Sequence, residues 1–190
     1  GAVRFNHALA QGARGMLRKP ELQPDDIAML QYTGGTTGVS KGAVLLHRNV
    51  IANVLQSEAW NDPVMQQVPE GEQPTTICAL PLYHIFAFTV NMMLSMRTGG
   101  KTILIPNPRD LPAVLKELSK HRFHSFPAVN TLFNGLANHK DFNTVDWSHL
   151  KVSIGGGMAV QGAVAKLWLE KTGCPICEGY GLSETSPSVS

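Results

Sequence analysis

The sequence predicts an α/β protein in which alternating βα units form a mainly parallel sheet flanked by helices. Short apolar runs alternate with longer amphipathic ones through most of the 190 residues, as in chains whose strands return through crossover helices. Glycine-rich stretches follow the ends of three apolar runs, at 34–42, 155–157 and 178–181, where such sheets bind ligands. A composition of 43% hydrophobic and 16% charged residues is that of an ordinary globular domain with a real core.

In chain order, residues 4–17 carry partial helical periodicity through Phe5, Leu9, Met16 and Leu17, and a proline-bearing connector follows at 19–26. Gly1 in place of methionine predicts a piece of a longer protein, with 1–23 belonging to structure upstream. Residues 27–32 and 43–47 read as strands. A helix then opens at His47 or Asn49, with Val50, Ile51, Val54 and Leu55 on its apolar face, and 62–74 is polar and rich in breakers. The strand at 75–80 ends in Pro81-Leu82-Tyr83-His84, and 85–96 is apolar on all sides, which predicts one buried helix. Residues 101–105 form a strand and 111–121 a helix. Strand and helix repeat at 123–129 with 131–137 and at 151–154 with 160–171, and 175–177 closes as a strand. About four βα units follow the opening strand pair.

Between the first two strands lies Tyr32-Thr33-Gly34-Gly35-Thr36-Thr37-Gly38-Val39-Ser40-Lys41-Gly42. Glycines let backbone N–H groups approach a ligand, hydroxyls add rotatable donors, and lysine adds a compact positive charge. Together they suit a polyphosphate. The Walker spacing G-x-x-x-x-G-K-[ST] is excluded, because Lys41 follows Gly38 by three positions and the apolar run at 43–46 reads as a strand rather than a helix.

A net charge of +2 with interspersed signs leaves no footprint for nucleic acid. The longest apolar run contains Asn91 and stops at Arg97, too short to cross a bilayer. No signal peptide is recognisable, and a reducing cytoplasm is the expected compartment for Cys78, Cys174 and Cys177. The single C-x-x-C of Cys174 and Cys177 lacks the further ligands that a structural zinc site needs and reads as a buried strand end.

Two further motifs sit at strand ends. Gly155-Gly156-Gly157 would let backbone approach a flat ligand, although a plain strand-to-helix turn explains it equally well. In Glu178-Gly179-Tyr180-Gly181-Leu182-Ser183-Glu184-Thr185 the tyrosine can stack on a base, Ser183 can donate to a phosphate oxygen, and Glu184 can hold Mg²⁺.

The order of these motifs resembles the AMP-forming acyl-CoA synthetases, over about residues 24–190. The phosphate loop, Pro81-Leu82-Tyr83-His84-Ile85-Phe86 and Asn107-Pro108-Arg109-Asp110 are similar to the bacterial long-chain fatty-acid CoA ligases. The resemblance implies the ATP-binding portion of a large N-terminal adenylation domain, with the C-terminal domain absent. It implies that a fatty carboxylate attacks the α-phosphorus of ATP to give acyl-AMP and pyrophosphate, and that the CoA thiol then displaces AMP. The partners are then ATP, fatty acid and CoA with Mg²⁺, and no nucleic acid. Peripheral contact at the inner face of a membrane and homodimerisation stay open.

By the same resemblance, Thr33, Gly34, Gly35, Thr36, Thr37, Gly38 and Lys41 would hold the β- and γ-phosphates, and Thr33 and Glu184 would lie at the metal. Gly155, Gly156, Gly157, Glu178 and Gly179 would line the adenine pocket, followed by Tyr180 on the base, Gly181, and Ser183 at the α-phosphate. His84, Lys41 and Glu184 would stand at the reacting centre. Phe86 and Phe88 read either as core or as walls of an acyl tunnel. Ser183 stands where the family usually has threonine. No aspartate for the ribose, hinge or adenylation lysine follows, so this piece is not expected to complete the reaction alone. Another AMP-forming ligase, on an aryl acid or for a carrier protein, and a catalytically silent nucleotide-binding module are the rival readings.

Overall fold

The computed structural model describes residues 2–33 and 40–190. Strands β1 (Ile27–Thr33) and β2 (Lys41–Leu46) pair antiparallel, with Thr33 opposite Lys41 at the open end. The remaining strands, β3 (Thr75–Cys78), β4 (Lys101–Leu104), β5 (Ser125–Ala128), β6 (Val152–Gly155) and β7 (Ile176–Glu178), form one parallel sheet in the order β4-β3-β5-β6-β7. Helices α5 (Leu111–Leu118), α6 (Asn130–Ala137) and α7 (Gly162–Thr172) make three of the crossovers. The α/β expectation, a parallel sheet flanked by helices, is met.

The strand order reverses direction between β3 and β5, which makes their carboxyl ends the switch point where such folds open a crevice. Pro127 contributes to that opening. The Ala128 carbonyl accepts the Gly156 N–H on the β6 side, so backbone alternation turns the Pro127 nitrogen toward β3, where it has no hydrogen to donate. Pairing between β3 and β5 is confined to Thr76 with Ser125.

One face of the sheet packs Ile77 and Phe126 against Leu115, Leu118, Phe133, Leu136 and Trp168 of the crossover helices. The other face is covered by the segment after His84 and by α2 (His47–Met65). The sequence predicts a polar, breaker-rich stretch from Asp62 onward, yet α2 runs through Pro63 to Met65. Proline so near the helix end forfeits a single i−4 bond, and Val64 and Met65 gain packing against Val90, Val152 and Ile154. Asn49 does serve the start of α2, from its third position, where Oδ1 accepts the Leu46 N–H at 3.0 Å.

The single buried helix expected over 85–96 is instead three joined pieces: α3 (Ile85–Ala87), a π segment (Phe88–Met93) and α4 (Leu94–Thr98). Its first half is buried, but Met96 is 73% exposed. Two buried polar side chains within it reach other segments: Asn91 donates to the Ile77 carbonyl at 3.0 Å, and Thr89 donates to the Ser186 carbonyl at 3.0 Å. At the chain's start, α1 (Phe5–Gly12) buries no residue.

At the amino ends of the strands, Glu72, His124 and His149 bring ligating atoms within 4.8 Å of one another. The Thr75 N–H donates to His124 Nδ1 at 3.1 Å, so the ring proton resides on Nε2, facing Glu72 at 3.4 Å. A cation there would have to displace that proton, and Nε2 itself makes no hydrogen bond among the described residues. Burial holds the His124 pKa below its ordinary value, partly opposed by Glu72. The unfolded chain therefore takes up a proton near pH 6.5, before the folded protein does. Stability should be full above about pH 7.5 and fall as the pH drops through about 6.5. Urea midpoints at pH 7.5 and 5.5 should differ less in H124Q than in the wild type. An equal difference in both would remove His124 as the cause.

Candidate functional site

Three strand ends converge on one cavity of about 490 Å³. From the end of β3 comes His84, which caps α3, its Nδ1 accepting the Phe86 N–H at 3.2 Å. That bond leaves the ring proton on Nε2, a donor suited to a carboxylate oxygen. From the end of β6 come Gly156 and Gly157, and from β7 come Glu178, Gly179, Tyr180, Gly181 and Ser183. Tyr180 is 62% exposed along this wall, so its ring is available for stacking.

Close approach explains the glycines. A Cβ on Gly156 would stand 2.8 Å from the Phe86 ring, and Gly157 has φ +79°, a left-handed conformation that favours glycine. Gly155 is buried behind this wall, and a Cβ there would run into Val160 and Ile176. Glu178 braces the wall from the side, its Oε2 accepting the Val160 N–H at 3.0 Å. Phe88 packs with Leu45, Val50, Val54 and Ile85 in the core, whereas Phe86 lines the cavity.

Thr33 and Lys41 face each other at the paired ends of β1 and β2, where Thr33 Oγ1 approaches the Lys41 carbonyl at 3.4 Å. Gly34, Gly35, Thr36, Thr37 and Gly38 lie outside the described residues. Glu184 sits in the single-turn 3₁₀ helix Ser183–Thr185, which packs against both β1 and β2. The structure thus brings the tyrosine motif to the hairpin, although Thr33, Lys41 and Glu184 are not part of the cavity wall. The Glu184 carboxylate is exposed and makes no hydrogen bond or ion pair among the described residues, which leaves a hard oxygen donor of the kind Mg²⁺ takes.

Sequence reading missed the wall from α2, where Gln56, Ser57, Trp60 and Asn61 face the cavity. A signal for it existed. Asn53, Ser57 and Asn61 recur every fourth residue, a polar stripe on a helix whose Asn53 and Asn61 are buried. A second hollow of about 540 Å³ adjoins the first across Asn61, Val90 and Ile154. Of the cysteines, Cys177 touches the cavity, while Cys174 is buried beside Ser153 and burial pushes its thiol pKa up.

Gly156→Ala tests the close approach to Phe86. Overpacking of a filled site should cost about 1–3 kcal/mol of stability, read in urea unfolding, and the displaced ring should lower activity of the full-length protein. Adding Phe86→Leu should recover part of it, and a G156A enzyme of wild-type rate would show that the ring yields freely.

A family model described as AMP-binding enzyme matches residues 4–190. The chain is 51% identical over 189 residues to a long-chain-fatty-acid–CoA ligase of Escherichia coli O157:H7, covering 100% of this chain and 33% of that protein. It is 50% identical over 188 residues to the enzyme of the same name from Haemophilus influenzae, with 99% and 33% covered. The chain therefore spans about a third of the length of these curated relatives. Its fold is similar to that of ATP-bound MatB from Rhodopseudomonas palustris, with a TM-score of 0.78 and 27% identity over 95% of this chain and 34% of that one.

Proposed function

Because this chain belongs to the AMP-binding enzyme family, we propose that it is the ATP-handling part of a long-chain fatty-acid–CoA ligase, with residues 24–190 lying in the adenylation domain. The observation that carries this reading is the meeting of His84 from β3 with the tyrosine motif from β7 in one cavity. A nucleotide and an acid must be held side by side for adenylation.

In this reading Tyr180 stacks on adenine between the backbone of Gly156–Gly157 and that of Gly179, and Ser183 donates to an α-phosphate oxygen. Lys41 and the hairpin loop that begins after Thr33 hold the β- and γ-phosphates. His84 donates from Nε2 to the acyl carboxylate. The carboxylate is ionised at neutral pH and needs no general base, so the residues contribute alignment and charge stabilisation. Glu184 and Thr33 offer the hard oxygen donors that would hold a Mg²⁺ ion, whose chemistry is to neutralise triphosphate charge. One carboxylate oxygen bonds to the α-phosphorus as the bond to pyrophosphate breaks, and CoA then takes the acyl group from acyl-AMP.

Among the described residues, no helix is long and apolar enough to cross a membrane. We place the reaction in the cytoplasm.

The test is acid-dependent pyrophosphate release and CoA consumption by the full-length protein, with palmitate, butyrate and an aromatic acid compared. Preference for palmitate in both assays is expected. Release with the aromatic acid alone would replace the fatty-acid reading by the aryl-acid one, and pyrophosphate release without CoA consumption would point to a carrier-protein acceptor. No release with any acid would point to a silent nucleotide-binding module.

A further inference from the structure

We propose that Asn53 of α2 and Thr89 of the π segment are positioning residues that set the Ser183–Thr185 turn over the cavity by gripping the backbone just after it. Thr89 is fully buried, and its hydroxyl donates to the Ser186 carbonyl at 3.0 Å across 97 residues of sequence. A helical threonine ordinarily returns that hydrogen to its own preceding turn. Asn53, 4% exposed, donates from Nδ2 to the Ser188 carbonyl at 2.9 Å and accepts the Ser188 N–H on Oδ1 at 3.3 Å. One side chain thus satisfies both backbone groups of Ser188, as a neighbouring strand would.

The gripped segment requires outside support. Ser186 is buried with φ 72°, a left-handed conformation unfavourable for a residue with a side chain. Its position is passed back to the turn, because the Leu182 N–H donates to the Pro187 carbonyl at 3.0 Å and to Thr185 Oγ1 at 2.9 Å. Gly181 lies so close to the Pro187 carbonyl that a Cβ would not fit between them. Residues 181–185 therefore move with 186–188. The helical segments that carry the grip also wall the cavity through Trp60, Asn61 and Val90, so the loop is held in register with the surface it faces. Thr89 belongs to a π segment, and such segments are frequent at functional sites.

The inference rests on the proposed reading, in which Ser183 and Glu184 meet the triphosphate and its Mg²⁺. The experiment compares full-length wild type, T89V, T89S and N53A. It reads the Mg²⁺ concentration giving half-maximal palmitate-dependent pyrophosphate release, KM for ATP against kcat, and amide exchange of residues 181–190 without nucleotide. Loss of one buried hydrogen bond should raise the half-saturating Mg²⁺ concentration in T89V by about tenfold. N53A should shift it the same way, both variants should exchange faster over 181–190, and T89S should restore wild-type values. Wild-type Mg²⁺ dependence in a folded T89V, or T89S as impaired as T89V, would overturn the assignment. If the wild type releases no pyrophosphate, the proposed function falls and exchange alone decides the grip: faster exchange in T89V supports it, and unchanged exchange removes it.

Discussion

Lys41→Ala in the full-length protein is expected to lower kcat/KM for MgATP by about 10²–10³-fold, the usual loss when one preorganised charge-stabilising group is removed from a reacting centre. Lys41 opens β2 opposite Thr33, and the two residues flank the stretch proposed to hold the phosphates. Its side chain is exposed, and the melting temperature should therefore hardly change, which separates a catalytic loss from a folding one. Glu184→Gln should act on a different axis. It should raise the Mg²⁺ requirement, because an amide keeps the shape and loses the charge that favours a hard cation. Initial rates across ATP and Mg²⁺ concentrations would check both, and K41A within threefold of the wild type would remove Lys41 from the phosphate site.

The largest effect on stability should come from Trp168→Ala. Trp168 is 0% exposed and stands at the centre of an aromatic group, with ring centroids 4.8 Å from Phe133, 5.1 Å from Trp147 and 5.9 Å from Phe126. Its indole N–H donates to the buried Ser153 hydroxyl at 2.9 Å. Truncation leaves a large cavity and removes that donor, for a loss of about 3–5 kcal/mol. Against a typical total of about 5–15 kcal/mol, this is a substantial share of the fold's stability. Trp168→Phe keeps most of the ring packing and loses the hydrogen bond, so it should cost markedly less. Urea unfolding of the two variants gives the comparison, and a W168A midpoint near that of the wild type would show that the aromatic group repacks around the gap.

Much of the candidate site was legible because its chemistry is local. A stretch such as Glu178-Gly179-Tyr180-Gly181-Leu182-Ser183-Glu184 carries its donors, ring and carboxylate within one turn of chain. Its place at a strand end follows from periodicity. His84 was legible for the same reason, since a polar residue between Pro81-Leu82-Tyr83 and an apolar run marks a helix start. Trp60, Asn53 and Thr89 were not, because each acts on backbone or space supplied by residues far along the chain. The stripe of Asn53, Ser57 and Asn61 hints at a buried polar face, but Asn53 meets Ser188 across 135 residues, and nothing local names that partner. The π segment escaped for a related reason. Residues 85–96 have the apolar content of a buried helix, and no local pattern within them marks a widened turn at Phe88–Met93.

The sequence by itself determined the alternation of strands and helices, the parallel sheet, and the identity of the groups that cluster at its strand ends. These depend on side-chain period and on turn residues only a few positions apart. Tertiary structure decided which strand ends share a cavity, how β3 and β5 part beside Pro127, and which buried polar side chains fix the loop above it. Those outcomes depend on pairing order and on hydrogen bonds between distant segments, whose partners become neighbours only when the chain has folded.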